Sequence, residues 1–504
     1  MSSYHSTMTR RDFMKALGLT GAGLGVAAAA APVFHDLDEV TASATGEWKR
    51  AWWIKEREHD DPTVELDWSM LKRLDHAKTR RGSPQYFSAE QKAAWVAKGT
   101  AIKDQIGWSN YTLPGKQLRD AALSDAARNS RGELKGSDGV YRGSDRHWGG
   151  PKIAKTPEER GVPKWTGSPE EATRMLRTAM IFFGAVSMYT GELNGKHRNL
   201  INATDRTKPI LFDATISEGY DDGKKYVLPD RELWEIGYAI PESRELHRAG
   251  YTNIRSAANS SRYRMRRLVA PATQDFLRAL GYICEGASAY PITPGNGAAC
   301  LHGAAEQHRN NWWSIDVQLD PVVGRYELIT DLPMEPCPPA DAGIAKFCDT
   351  CGHCAEVCPS DSVSKEKERT WEPPVSPYTG ITVAGHIWKK IHWTNLATCD
   401  NYTSSIAYGC ELCRTACPFM TNRGALAHDL VRATVANTSV FNSFIATTIR
   451  VFGFGQVDDL GNLVGYTEEN YARAAARGQS WWDMSLPTHG YDTTVFSADG
   501  GYRK

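Results

Sequence analysis

Eight cysteines crowded between residues 348 and 417 constrain this chain more than any other feature of it. They form two groups, Cys348-x2-Cys351-x2-Cys354-x3-Cys358-Pro359 and Cys399-x10-Cys410-x2-Cys413-x3-Cys417-Pro418. A disulfide scaffold spreads its cysteines along a short chain, whereas these are bunched in a small part of a long one, as metal ligands are. Three thiolates spaced by two residues wrap one [4Fe–4S] cubane, because a tight turn aims successive sulfurs at three corners. The cysteine after x3 and before Pro ligates the other cluster when two are present. That exchange assigns Cys348, Cys351, Cys354 and Cys417 to one cluster and Cys399, Cys410, Cys413 and Cys358 to the other. A zinc site needs only four ligands and leaves both Cys-Pro endings unexplained. The long spacing after Cys399 departs from the pattern. The remaining cysteines, Cys284, Cys300 and Cys337, lie upstream and read as buried apolar residues.

An export address precedes all of this. Thr9-Arg10-Arg11-Asp12-Phe13-Met14-Lys15 leads into an uncharged run, 16–31, made mostly of Ala and Gly. Paired arginines before a mildly hydrophobic stretch match the twin-arginine signal. The run is shorter and less apolar than the ~20 residues of a spanning helix. Ala42-Ser43-Ala44 offers a small-residue cleavage site. This route exports folded proteins, which reconciles reduced cysteines with an exported chain. The composition is globular, 41% hydrophobic and 23% charged. Lys+Arg and Asp+Glu both number 59, so no global charge footprint for nucleic acid exists.

The 504 residues leave room for about three domains. Residues 45–165 show no dominant period and predict short helices joined by long loops. Ser168-Pro169-Glu170-Glu171 is a capping box with Pro at the first helical position. Met175, Leu176, Ala179, Met180 and Phe183 follow at helical spacing, with Gly184 as terminator and a strand at 185–189. A second helix is expected over 261–280, ended by Gly281 and kinked or split at Pro271. Leu328–Pro333 reads as a short strand. The class is α+β.

In order and spacing, Arg10–Lys15, Asp341-Ala342-Gly343-Ile344-x2-Phe347-Cys348, both cysteine groups and Val435-Ala436-Asn437-Thr438-x-Val440-Phe441-Asn442-Ser443-Phe444 resemble the corrinoid-dependent reductive dehalogenases of organohalide-respiring bacteria. The resemblance spans essentially the whole chain. It implies a base-off cobalamin in a nitroreductase-like core and a ferredoxin-like domain whose two [4Fe–4S] clusters feed cobalt. The implied reaction removes halide from a halogenated organic substrate: R–X plus two electrons and a proton gives R–H plus X⁻. The implied layout is a signal at 1–44, an N-terminal region at 45–165, the cobalamin core at 166–335, the cluster domain at 336–425 and a wrapping segment at 426–504. The partners it implies are a respiratory electron donor and a small integral membrane anchor protein on the outer face of the cytoplasmic membrane. Nucleic acid is not among them.

The family's catalytic tyrosine stands 19 residues before the Tyr of a Gly-Tyr pair closing the next helix. Gly281-Tyr282 makes it Tyr263, with Arg262, Arg264, Arg266 and Arg267 nearby in sequence. A cation beside a phenol favours phenolate, and a tuned phenol can protonate a carbanion-like carbon. The resemblance also points to Arg325 as basic partner, to Gly295-Asn296-Gly297 as a corrinoid-facing loop, and to Tyr290 in place of an expected amide. Asp145-Arg146-His147-Trp148-Gly149-Gly150 fits a cobalamin lower-ligand motif, but no βαβ pattern follows it, so His147 reads as a loop histidine. Two rivals are a tRNA-modifying reductase, which an exported chain would not serve, and a non-catalytic electron-transfer subunit. The latter has no use for the long stretch ahead of the first cysteine group.

Overall fold

Ser168 begins a helix as its capping box requires: its Oγ accepts the backbone N–H of Glu171 at 3.2 Å, and Glu171 Oε2 accepts that of Ser168 at 2.9 Å. Helix α1 (Pro169–Phe182) buries Ala172, Leu176 and Met180. Gly184, at φ +111°, turns the chain toward strand β1 (Ser187–Glu192), which starts two residues later than expected. This computed structural model describes residues 50–75, 88–105, 111, 113–129, 134–135, 141–143, 148–205, 208–250, 252–286, 291–319, 323–376, 382–384, 387–405, 410–420, 426–451 and 468–485. The export segment, His147 and Tyr290 lie outside these.

Strands β1, β2 (Trp234–Pro241), β3 (Cys284–Gly286) and β4 (Val323–Thr330) form an antiparallel sheet in the order β3-β4-β2-β1. Tyr326 pairs with Tyr238, which pairs with Met188. Alternate residues point to opposite faces. Met188, Tyr238, Tyr326 and Leu328 therefore share one face and pack with Leu176, Met180, Val269 and Leu277 into the main core. Strand β4 begins earlier than the expected 328 and stops at Thr330. Asp331 leaves the ladder because its Oδ1 accepts the N–H of Ile283 at 2.9 Å.

Helix α2 (Asn253–Leu280) covers that core face. It ends at Gly281, φ +94°, as expected, but runs unbroken through Pro271 and starts at Asn253 rather than 261. Its added first turns carry mostly small and polar residues. They are nonetheless buried, because Ile254 and Ala258 pack with Leu246 and Ala249 while Arg255 pairs with Glu411. Helix α3 (Gly295–Leu301) lies on the opposite side of the sheet, where Ala299 and Cys300 pack with Tyr189. A second, mixed sheet joins Thr204–Asp205, Lys208–Asp213, Tyr226–Pro229 and Tyr220–Asp221. The N-terminal region holds helices Ala89–Gln105 and Leu118–Asn129, longer than its weak periodicity suggests. Its strand Lys55–Glu56 pairs with Ala340–Asp341.

Helix α4 (Ile344–Cys351) carries the first cysteines. Its N-cap, Gly343, adopts φ +70°, and a Cβ there would run into the Val435 carbonyl. With no side chain at the cap, Glu306 from a distant strand accepts the N–H groups of Ala342, Ile344 and Ala345 at 2.6, 3.1 and 3.0 Å. Helices Leu426–Asn437 and Asn442–Val451 close over α4, and Trp53, Phe347, Phe419, Val435 and Ile449 share its core. The architecture is α+β. Among the described residues no helix is long and apolar enough to cross a membrane.

Candidate functional site

The two cysteine groups fold across each other. Cys348 and Cys351 on α4, Cys354 just beyond it, and Cys417 from the second group line one small cavity with Phe347, Arg309 and Phe419. Cys358, the last of the first group, instead lies near Cys410 and Cys413, whose thiols it pushes up electrostatically. Cys358 and Cys413 both pack against the small apolar cluster around Cys354. Cys399 rides half-buried on the helix Leu396–Ser405. Outside the groups, Cys284 and Cys300 are buried, and Cys337 is half-buried beside Arg177 and Thr190.

Burial pushes the thiols of Cys348 and Cys413 up to about 12. Converging thiols that resist ionisation in a dry pocket suit a metal group, whose own charge restores the thiolates. The backbone supports this arrangement. Arg309 Nε donates to the Cys348 carbonyl at 3.0 Å, and its NH2 donates to that of Asp349 at 3.1 Å. The N–H of Ser362 donates to Cys358 Sγ at 3.3 Å.

Tyr263 lies on α2 with its ring 6.1 Å from that of Tyr326. Its cation is Arg262, whose NH2 donates to Tyr263 Oη at 3.2 Å. Arg325 does not meet it. Tyr326 faces Tyr263, so its neighbour Arg325 projects from the other side of β4 and pairs with Asp316 at 3.2 Å. Arg266 sits 4.7 Å above the Tyr326 ring, and Arg264 faces solvent. The Tyr326 hydroxyl, buried next to Tyr263, has no hydrogen-bond partner among the described residues.

Arg262 is itself held from behind. Glu242 Oε1 lies 3.4 Å from Arg262 and 3.1 Å from Arg414, while Glu242 Oε2 takes His247 Nε2 at 2.6 Å. Glu411, between Cys410 and Leu412, binds Arg255 at 2.8 Å and Arg414 at 2.9 Å. Burial alone would raise the Glu242 carboxyl, but Arg262, Arg414 and His247 hold it below the usual carboxylate range. Glu242, His247 and Glu411 approach closely enough for a metal, yet the guanidinium groups already neutralise both carboxylates. An ion-pair network therefore links the second cysteine loop to the tyrosine helix. Glu411 and Arg414 could have been suspected from their places among the cysteines; Glu242 carries no local signal.

The Gly295-Asn296-Gly297 loop opens α3, away from Tyr263 across the sheet. Asn296 spends its amide on the Trp312 carbonyl at 2.8 Å and on Ser314 Oγ at 3.0 Å. Gly295 has no room for a side chain because Glu327 Oε2 would sit 2.8 Å from a Cβ. Gly297 is half-exposed with only Trp388 and Pro294 near its missing Cβ, so a ligand contact through this loop falls on Gly297. A charged cleft of about 670 Å³ lined by Arg57, Lys346, Asp349, Arg369 and Lys390 contains neither Tyr263 nor a cysteine.

An α+β core that presents a phenol and a guanidinium to one another, beside two interleaved thiol nests of which the second is tied to it by ion pairs, is built as a redox enzyme. The profile of the reductive dehalogenase subunit family matches residues 49–334. The chain is 31% identical to the chloroethene reductive dehalogenase of Dehalococcoides mccartyi strain VS, over 98% of this chain and 99% of that one. It is 26% identical to the trichloroethene reductive dehalogenase of a second strain of that species, at the same coverage. The catabolic reductive dehalogenase NpRdhA shares the fold at a TM-score of 0.53 and 14% identity, over 79% of this chain and 49% of that one. This chain thus spans about half the length of that solved relative. The chain belongs to the reductive dehalogenase family, enzymes that act on carbon–halogen bonds.

Proposed function

We propose that the chain is the catalytic subunit of a respiratory reductive dehalogenase, with a base-off corrinoid in a nitroreductase-like core and two [4Fe–4S] clusters in a ferredoxin-like domain. The observation that carries the reading is identity with a chloroethene reductive dehalogenase from end to end. The thiol nests support the clusters: Cys348, Cys351, Cys354 and Cys417 would hold one, and Cys358, Cys410, Cys413 and Cys399 the other. A solved relative of the same fold is a reductive dehalogenase whose structure suggests a mechanism for B12-dependent dehalogenation, which supports the corrinoid. Bound, these groups would supply two electrons and the cobalt at which the carbon–halogen bond is cleaved.

The chain's own residues handle the proton. Tyr263 Oη delivers it to the carbon that loses halide, and Arg262, 3.2 Å away, stabilises the phenolate left behind. Glu242 fixes the guanidinium in place. Chlorinated ethenes are the first substrates to test, because the full-length relatives are named for them. The twin-arginine segment supports export to the outer face of the cytoplasmic membrane, held by a small integral anchor protein. Purified protein should release a corrinoid on acid–cyanide extraction and dehalogenate one member of a panel of chlorinated ethenes, alkanes and arenes with reduced methyl viologen. A cofactor-loaded preparation with eight irons but no corrinoid would sink the reading. Alkaline, high-salt washing of native membranes should release the enzyme; retention would contradict peripheral anchoring.

A further inference from the structure

The loop 308–314 touches both thiol nests and the first turn of α3. Arg309 holds the carbonyl of Cys348, Asn296 holds the carbonyl of Trp312, and between them Asn310 reaches the second nest. Asn310 is 2% exposed. Its Nδ2 donates to Cys413 Sγ at 3.2 Å, a normal length for an N–H to sulfur bond.

The amide cannot be turned around. Its Oδ1 accepts the backbone N–H groups of Trp312 at 3.2 Å and Trp313 at 3.0 Å. A flipped amide would press its NH2 against those two donors and its oxygen against the sulfur. The backbone is fixed as well: the N–H of Asn310 donates to His308 Nδ1 at 3.2 Å, and its carbonyl accepts from Thr394 Oγ1. Asp or Ser could satisfy the two tryptophan amides equally well. What only asparagine adds is a neutral N–H aimed at a ligand sulfur.

We infer that Asn310 tunes the reduction potential of the cluster held by Cys358, Cys410 and Cys413, raising it above the value that cluster would have without this donor. The inference rests on the two-cluster reading. A donor to a cluster sulfur stabilises the electron-richer reduced state, and hydrogen bonds to the sulfurs are among the factors that set such potentials. The tuned cluster is also the one tied to the tyrosine helix. Its loop residues Glu411 and Arg414 bind Arg255 on α2 and Glu242 behind Arg262, whereas the first nest is enclosed by α4 and the C-terminal helices.

The test uses fully loaded holoenzyme and redox titration followed by electron paramagnetic resonance. Asn310→Asp keeps an acceptor for the two tryptophan amides but offers the sulfur an oxygen; Asn310→Ser removes the donor with less charge. Each should lower the midpoint of one cluster and leave the other unchanged, with eight irons retained. Unchanged midpoints in both variants, or equal shifts at both clusters, would overturn the inference. If both variants lose iron, unsubstituted enzyme grown on ¹⁵N-asparagine decides. A nitrogen coupling to one reduced cluster supports the bond, and its absence removes it. Failure of the cluster reading is distinct, since the unsubstituted protein would then lack two-cluster signals altogether.

Discussion

Arg262 and Arg325 are separated by the pleat of a single strand, and that decides which of them serves Tyr263. Tyr263→Phe keeps the ring and removes the hydroxyl, so cobalamin and iron content should stay normal. Loss of a general acid typically costs ~10²–10⁴-fold, and turnover with a fixed substrate should fall by that order. Full turnover in this variant would withdraw Tyr263 as the proton source. Arg325→Met should behave differently. It strands Asp316 in the interior, and breaking a buried pair costs about 3–5 kcal/mol, so thermal stability should drop. The pH–rate profile of the remaining folded enzyme should not move, because Arg325 lies across the sheet from the phenol. A shifted profile would return Arg325 to the active site.

The helices differ in how much of them the chain writes locally. Helix α1 was legible to the residue at its start, because Ser168, Pro169 and Glu171 satisfy its first amides themselves. The first turns of α2 were not, because Asn253–Ser260 is mostly small and polar and the burial of its Arg255 depends on Glu411. Nor was the cap of α4, since Glu306 reaches it from 36 to 39 residues away. Glu306→Ala should leave three amides without an acceptor, each unsatisfied buried group costing about 1–3 kcal/mol. Hydrogen exchange along Ile344–Cys351 should quicken and iron content should fall; unchanged protection would show that water replaces the carboxylate. Gly343→Ala should be worse tolerated than an exposed-loop glycine change. It places a methyl against the Val435 carbonyl at a positive φ, and reduced soluble yield with depleted iron is the expected outcome.

Across the whole molecule, the Glu242 network joins the cysteine region to the tyrosine helix, and its electrostatics give an acid limit. Glu242 is held below its unfolded value of ~4.3 by Arg262, Arg414 and His247. Its contribution is therefore complete above that value and is lost as pH falls through the lower folded value. Acid unfolding monitored by circular dichroism should begin below about pH 4. Glu242→Gln should lower stability at neutral pH and flatten this acid limb; an unaltered limb would assign it to other carboxylates. The two cysteine groups and the family itself were readable from the amino-acid order alone, because ligand spacing and motif succession are one-dimensional properties. The cation at Tyr263, the cap of α4 and the Asn310–Cys413 bond were decided only by tertiary structure. Arg414 and Glu242 stand 172 residues apart, and which of many similar charges meet in the interior depends on strand pleat, helix phase and chain crossing, none of which leaves a local periodic trace.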